Sequence, residues 1–413
     1  MDDAGYGDLG CYGHPTIRTP NLDRMAREGM RFTQFYSASG ACTASRYALL
    51  TGRLPVRSGF AWVLVPNSKR GLHPKEVTIA DGLKSKGYAT AIFGKWHLGS
   101  RQQFLPLQHG FDEYYGLPYS NDMIPPKWPP MPLIENNEVV KINPDQSLLT
   151  GAYTDHAISF IERHKEQPFF LYLPYAMPHI PLHPGKDFAG RSVRGTYGDV
   201  IEEIDWSVGR ILAKIKALSL EKKTLVLFTS DNGPWIIKGR RGGSAGLLRD
   251  GKGSTWEGGM REPAIAWWPG TVPAGQVERR LASTLDVLPT VFELAGVPKP
   301  QGRSLDGESL VPVLRGEQPK AAHRPFFYYG PGNRLHAVRK GPWKLHIKTS
   351  SQTHKKYFDG KLPLLFQLEI DPSEKYDLAD KESQVVLDLR ALLEEHRTQV
   401  REEGNFYKPG TIK

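Results

Sequence analysis

The chain has 413 residues, of which 39% are hydrophobic and 24% charged, so it has the composition of a globular protein that can bury a large core. No run of about 18 apolar residues occurs, which argues against an integral membrane segment. The formal net charge of +10 suits a polyanionic partner or a basic solvated surface. Scattered Lys and Arg residues, without zinc-finger spacing or an RNP-like aromatic run, argue against nucleic acid. Two cysteines, Cys11 and Cys42, are too few for a disulfide framework.

Short apolar runs alternate with helical patterns along most of the chain, which predicts an α/β fold with a largely parallel sheet. The predicted strands are Ala89 to Phe93, Phe169 to Pro174, Thr224 to Thr229 and Pro263 to Trp268. The predicted helices are Asn21 to Glu28, Thr43 to Thr51, Val77 to Lys86, Thr154 to Lys165, Gly198 to Leu218 and Leu285 to Ala295.

The pattern changes after about residue 320, where short strands precede one long helix. We therefore predict a catalytic α/β domain over 1–320 and a smaller antiparallel sheet with a helix over 321–413. The predicted strands are Pro325 to Tyr329, Leu335 to Arg339, Trp343 to Ile347 and Leu364 to Leu368, followed by a helix from Ser383 to Arg401.

Two pairs of polar residues are candidate metal ligands. Asp2 and Asp3 are adjacent carboxylates, which repel each other unless a cation or a shared proton relieves them. Asp231 and Asn232 follow the apolar strand TLVLFT directly. Together they offer an all-oxygen ligand set, which favours Ca²⁺ or Mg²⁺ over zinc. A terminal Asp pair taken alone is more often solvated surface than a metal site.

Cys42 precedes a predicted helix, and the unpaired N–H groups of a helix N-terminus stabilise an anion. That position suits a nucleophile that attacks a sulfate, although a small buried thiol is an equally good interpretation of this segment alone. Four basic residues follow strands or lie in glycine-rich loops, where they could neutralise charge or transfer protons. They are Lys95, His97, His179 and Lys252.

Eight segments, taken in chain order, resemble the type I, formylglycine-dependent sulfatases, and specifically their arylsulfatase A and N-acetylgalactosamine-6-sulfatase branch. They are DDAGYGDLGCYG, TPNLDRMAREG, CTASRYALLTGR, GKWHLG, HGFDEYYG, PHIP, SDNG and GKGSTWEGGMREPAIAWWPG. The resemblance implies an alkaline-phosphatase-like three-layer α/β sandwich with a smaller C-terminal sheet.

The resemblance also implies a chemistry, namely hydrolysis of a sulfate ester of a sugar or an aryl group with one Ca²⁺ ion, for which Mg²⁺ is the alternative. Cys42 would be oxidised to formylglycine (3-oxoalanine) by a formylglycine-generating enzyme or an anaerobic sulfatase-maturing enzyme. His179 would protonate the departing oxygen, and His97 would take the proton that drives release of sulfate. By position, the metal would be held by Asp2, Asp3, Cys42, Asp231 and Asn232. The formylglycine would be held in place by Arg46 and Lys95. The sulfate would be bound by Lys95, His97, Ser120, His179 and Lys252.

The sequence departs from the family at two places. Ala44 stands where the family usually has proline, which bears on how the segment is matured. The paired aspartates lack the hydrophobic strand that normally precedes them, so we expect a strand and a secretion signal upstream, and a periplasmic or secreted location in a bacterium.

Alternative functions remain open at this stage. A phosphatase, phosphodiesterase or phosphonate hydrolase of the same superfamily would tend to carry a Ser or Thr nucleophile and two zinc ions. A catalytically silent protein that binds sulfated glycans is a second alternative. An aromatic rim for stacking a sugar could be formed by Trp62, Tyr119, Trp128 and Trp235, although loop aromatics also pack on their own loops.

Overall fold

The computed structural model describes residues 1–60, 62–317 and 324–409. Its helices are α1 Pro20–Glu28, α2 Cys42–Thr51, α3 Ile79–Lys84, α4 Leu149–Arg163, α5 Thr196–Ala217, α6 Glu257–Met260, α7 Val287–Ala295, α8 Val311–Leu314 and α9 Ser383–Glu403. Its strands are β1 Met30–Tyr36, β2 Ala89–Phe93, β3 Glu113–Gly116, β4 Pro132–Glu135, β5 Glu138–Ile142, β6 Phe169–Tyr172, β7 Val226–Thr229, β8 Arg261–Trp267, β9 Gln276–Glu278, β10 Ala282–Ser283, β11 Phe326–Gly330, β12 Arg334–Lys340, β13 Trp343–His346, β14 Leu364–Gln367, β15 Gly404–Asn405 and β16 Lys408–Pro409.

The strands of the first 300 or so residues form two five-stranded groups. One has the order β10-β1-β8-β7, with β9 also paired to β1, and the other has the order β5-β4-β3-β2-β6. The pairs of β2 with β3 and β6 are parallel, whereas β8 runs antiparallel to β1 and β7. The α/β class is confirmed, and the pairing within it is mixed. One of the antiparallel pairs, β4 with β5, is a hairpin, because the short turn between these strands can join only antiparallel neighbours.

Most predicted elements are present, with small shifts at their ends. β2 has the predicted bounds, α2 begins one residue earlier than predicted, and α4 begins at Leu149 instead of Thr154. Apolar residues at three-and-four spacing in α5, from Ile201 to Ile215, form a stripe that is buried against α1 and α4. Because these side chains form part of the core, they pack the three helices against each other. The polar residues at the strand ends lie outside this packing and are available for a site.

The strand ends bring the first residues of the chain into the site. The backbone N–H of Asp231, just after β7, donates to the carbonyl of Met1 at 3.1 Å. The N–H of Asp2 donates to the carbonyl of Met177, beyond β6, at 3.2 Å. Asp2 and Asp3 therefore lie between the segments that follow β6 and β7, at the edge where an α/β sheet carries its ligands.

The C-terminal part is an antiparallel sheet of order β11-β12-β13-β14, with α9 packed on β12 and β13. The predicted domain boundary at 320/321 lies outside the described residues and stays a prediction. Across the described ranges, none of the helices combines the length and apolar character that crossing a membrane requires.

A buried ion cluster joins this sheet to the rest of the chain. The Lys344 ammonium lies 2.9 Å from Glu257 Oε1 and 3.0 Å from Glu374 Oε1, and His346 Nε2 lies 2.8 Å from Glu374 Oε1. Burial alone would raise the pKa of Glu257, but the Lys344 ammonium and neighbouring guanidinium groups lower it to about 2. Glu257 is therefore an ionised group whose charge depends on Lys344.

We predict that Lys344→Met lowers the free energy of unfolding by about 3–5 kcal/mol, because two buried carboxylates lose their cation. Denaturant unfolding followed by tryptophan fluorescence measures the change. Lys340→Met is the matched control, since Lys340 is exposed at the end of β12. Equal unfolding midpoints for the two variants would show that the cluster does not stabilise the fold.

Candidate active site

Cys42 is the first residue of α2 and is buried, with 2% of its surface exposed. Its Sγ atom lies 3.2 Å from His97 Nδ1. Burial raises the pKa of the thiol to about 11, although Lys95 and Lys252 act to lower it. The thiol is therefore protonated at neutral pH and is a poor nucleophile as it stands.

Lys95 and Arg46 are two buried basic residues of the site. Gly94, with φ of +140°, turns the chain at the end of β2, and a Cβ atom there would lie 2.1 Å from the carbonyl oxygen of Pro174. The turn places the fully buried Lys95 ammonium in an ion pair with Asp2 and 3.1 Å from Ser120 Oγ. Arg46 donates from Nη1 to the Lys95 carbonyl at 2.7 Å.

The carboxylates are tied to these cations and to each other. Arg46 Nη2 lies 2.8 Å from Asp231 Oδ2 and 3.3 Å from Asp2 Oδ2. Asp3 Oδ2 lies 2.7 Å from the Lys252 ammonium, and Asp3 Oδ1 accepts from Asn232 Nδ2 at 2.7 Å. Burial would raise the pKa of Asp2, but Lys95 and its neighbours hold it well below the usual range. Burial and the Asp2 charge raise the pKa of Asp231 to about 6.

The ligand set fits a hard cation. Asp2 Oδ1 and Asn232 Oδ1 are buried oxygens without a hydrogen-bond partner among the described residues, and such atoms are costly unless a ligand satisfies them. Carboxylate or imidazole atoms of Asp2, Asp3 and His179 all lie within 4.8 Å of one another. Oxygen atoms dominate this set, and hard cations such as Ca²⁺ and Mg²⁺ prefer oxygen ligands.

The two histidines of the site have fixed orientations. His97 Nε2 lies 2.9 Å from the carbonyl of Leu64, so Nε2 carries the proton and Nδ1 faces Cys42 as an acceptor. His179 Nδ1 lies 2.7 Å from the carbonyl of Ile180, so its Nε2 is the free nitrogen, 3.6 Å from Asp3 Oδ2. Burial and the Lys252 charge lower the pKa of His179 to about 3, and burial and Lys95 lower the pKa of His97 well below its usual value.

Three residues of this region adopt left-handed backbone conformations without being glycine. Asp3, His97 and Asp250 have φ of 66°, 61° and 64°. Such conformations are uncommon and persist only where the surroundings enforce them, and they cluster at functional sites. Two of the three carry predicted site side chains.

The structure brings every predicted site residue into one cluster, in which direct contacts link each side chain to a neighbour. The roles of these residues stay predictions. The members are Asp2, Asp3, Cys42, Arg46, Lys95, His97, Ser120, His179, Asp231, Asn232 and Lys252.

The predicted aromatic rim is present only in part. The Trp235 ring lies 5.4 Å from the His179 ring, and the Trp62 ring lies against Gly253, beside Lys252. Tyr119 is buried with the main core, and Trp128 packs against that core. These two aromatics therefore serve packing, and only Trp62 and Trp235 of the four lie beside site residues.

Sequence reasoning missed Gln352, which braces the site from the C-terminal sheet. Its side chain donates to the carbonyls of Lys252 and Pro234 at 2.9 and 3.2 Å and accepts from the N–H of Ile237 at 2.9 Å. Its backbone N–H donates to Asp250 Oδ1 at 3.0 Å. A lone Gln in a polar loop carries no local pattern that would identify this role.

Comparison with known proteins agrees with this geometry. The family model described as Sulfatase matches residues 1–297, and the one described as C-terminal region of aryl-sulfatase matches residues 321–412. Arylsulfatase A of Homo sapiens is 43% identical over 91% of this chain and 82% of its own length. N-acetylgalactosamine-6-sulfatase of Sus scrofa is 41% identical over 92% of this chain and 80% of its own length.

The fold is also that of a solved sulfatase. The crystal structure of the PsFucS1 sulfatase from Pseudoalteromonas sp. superposes with a TM-score of 0.88 at 30% identity, covering 97% of this chain and 89% of that one. The similarity confirms the expected alkaline-phosphatase-like fold class. The chain belongs to the sulfatase family and is a sulfuric ester hydrolase.

Proposed function

We propose that this protein hydrolyses the sulfate ester of a sulfated sugar, using formylglycine formed from Cys42 and one bound calcium ion. The observation that carries the proposal is the position of Cys42, at a helix N-terminus, in contact with His97 and within the electrostatic influence of Lys95 and Asp2. A sugar ester is proposed over a simple aryl sulfate because Trp62 and Trp235, which lie beside Lys252 and His179, offer rings on which a sugar can stack.

The choice of calcium rests on the ligand chemistry. Asp2, Asp3, Asp231 and Asn232 would hold the ion through oxygen atoms, and residue 42 would complete the set. The unpartnered oxygens of Asp2 and Asn232 support this assignment. When bound, the ion would supply positive charge that polarises the sulfate. Mg²⁺ is the alternative hard cation for the same ligands, although it demands a smaller and more regular shell.

The choice of formylglycine follows from what the thiol lacks. A buried thiol with a pKa near 11 neither attacks sulfur at neutral pH nor offers a second group to release the product. An aldehyde hydrate at position 42 would supply one hydroxyl for attack and a second hydroxyl for expelling the sulfate. The oxidation would require a formylglycine-generating enzyme or an anaerobic sulfatase-maturing enzyme that accepts the segment CTASR.

The remaining residues position the ester and move protons. Lys95, Lys252 and Ser120 would bind the sulfate oxygens, and Arg46 would keep Asp2 and Asp231 in place. His97 Nδ1 lies beside the residue 42 side chain and would take the proton during sulfate release. His179 would donate a proton from Nε2 to the leaving oxygen, which requires that the negative charge of the bound ester raises the pKa of His179 from about 3, so that Nε2 is protonated. The periplasmic or secreted location stays a prediction.

We predict that Cys42→Ala abolishes release of sulfate, whereas Cys11→Ala retains it, since Cys11 lies outside the site. Mass spectrometry of the peptide that contains residue 42 measures the conversion, and ion chromatography measures released sulfate. Full activity in protein whose Cys42 is an unmodified thiol would contradict the aldehyde. Complete conversion without any turnover would favour the silent glycan-binding alternative.

We predict that Ca²⁺ raises the melting temperature of the protein, because an ion that binds only the folded state adds about 2.7 kcal/mol at about 100 times its Kd. Asp2→Asn removes the carboxylate that has an unpartnered oxygen and should reduce the shift strongly. Asp187→Asn is the control, since Asp187 is exposed outside the site. Equal calcium-induced shifts in both variants would rule out the assigned ligand set.

We predict that His179→Ala slows hydrolysis of an alkyl or sugar sulfate by on the order of 10²–10⁴-fold, the usual loss of a general acid. 4-Nitrophenyl sulfate should lose much less, because its leaving group departs as a stable anion. His183→Ala, four residues further along the same loop, is the matched control. Equal losses for the two substrates in His179→Ala would remove the acid role.

A further inference from the structure

A basic segment next to the site has no part in the chemistry above. It follows the metal-ligand pair Asp231–Asn232 and contains Lys238, Arg240 and Arg241, which we call the basic rim. Lys238 is half-buried and the two arginines are exposed. Within the ranges that the structure describes, these three side chains form no ion pair with a carboxylate.

The basic rim reaches the sulfate pocket through Trp235. The Lys238 ammonium lies 4.4 Å from the centre of the Trp235 ring, and the Lys252 ammonium lies 4.5 Å from the same centre. The distance between the two ammonium groups is therefore no greater than the sum of these two distances. The same ring contacts His179. Trp235 thus contacts both a cation of the sulfate pocket and a cation of the rim.

The rim is held in place by residues from two other parts of the chain. Arg194 donates to the carbonyls of Arg240 and Gly242, both at 2.8 Å. Gln352 accepts from the N–H of Ile237 at 2.9 Å. Three like charges close together repel each other, and a braced backbone cannot relax to separate them. The segment is therefore preorganised for an anion.

We propose that the basic rim is a second anion-binding subsite, which binds a sulfate or carboxylate group of the same glycan whose sulfate ester occupies the Lys252 pocket. The proposal rests on the proposed function, because it assigns the substrate to the polyanionic sulfated glycans. A substrate with a single anionic group fills the pocket alone. A glycan with a second anionic group close by engages Lys238 as well, beside Trp235.

The test compares a polyanion with a single anion. Binding of sucrose octasulfate and of inorganic sulfate is measured by calorimetry on the calcium-loaded protein, in the wild type and in Lys238→Met/Arg240→Met/Arg241→Met. We expect the Kd for sucrose octasulfate to rise at least about tenfold, since three charge-assisted contacts are lost, and the Kd for inorganic sulfate to change far less. The salt dependence of octasulfate binding should also weaken.

The matched control is Lys222→Met/Lys223→Met, which removes exposed charge near the start of β7, at the strand end opposite the site. Its affinities should equal those of the wild type. Trigalacturonate, which carries only carboxylates, serves as a further probe. Rim-dependent binding of trigalacturonate would assign the subsite to a carboxylate as well as a sulfate, and binding of octasulfate alone would assign it to sulfate.

An unchanged Kd for sucrose octasulfate in the triple variant would overturn the subsite, as would equal losses for octasulfate and inorganic sulfate. Failure of the proposed function has a different signature. It would leave the rim-dependent octasulfate binding intact while the wild type releases no sulfate from any ester.

Discussion

The site depends on mutual neutralisation of buried charges. Asp2, Asp3 and Asp231 lie opposite Arg46, Lys95 and Lys252, and all six are removed from most solvent contact. A charge in such surroundings is costly unless it is paired, so each group is held where its partners are. The formal charges of these six cancel. A bound divalent cation would leave two positive charges in the pocket, and this excess favours an anionic sulfate ester over a neutral ligand.

Polar contacts within the same buried site also hold the unusual backbone at Asp3 and His97. Their left-handed conformations cost free energy, and the ion pair of Asp3 with Lys252 and the carbonyl contact of His97 offset that cost. These contacts therefore offset both the backbone strain and the cost of burying polar or charged groups. Removal of one partner would leave the other group buried with neither its backbone strain nor its charge compensated. The paired residues therefore act as a unit.

The sequence predicted the elements that carry local patterns, and it placed the site by their ends. β2 and α5 followed directly from apolar spacing, and Lys95 and Asp231 follow apolar strands as expected. The roles assigned to individual residues came from resemblance to a family. The antiparallel placement of β8 and the contribution of Gln352 were not predictable, because both depend on contacts between distant segments and leave no periodic trace.

The C-terminal sheet completes the site from outside. The segment that carries Lys252 is bound at one end through Asp250, which accepts from Gln352, and at the other through Glu257, which pairs with Lys344. The Glu257 N–H also donates to Glu374 at 2.7 Å. Because both ends are fixed by the same sheet, the position of the Lys252 ammonium is set by the packing of two regions. The C-terminal region therefore helps to position Lys252, a proposed sulfate-binding residue, as well as contributing to the fold.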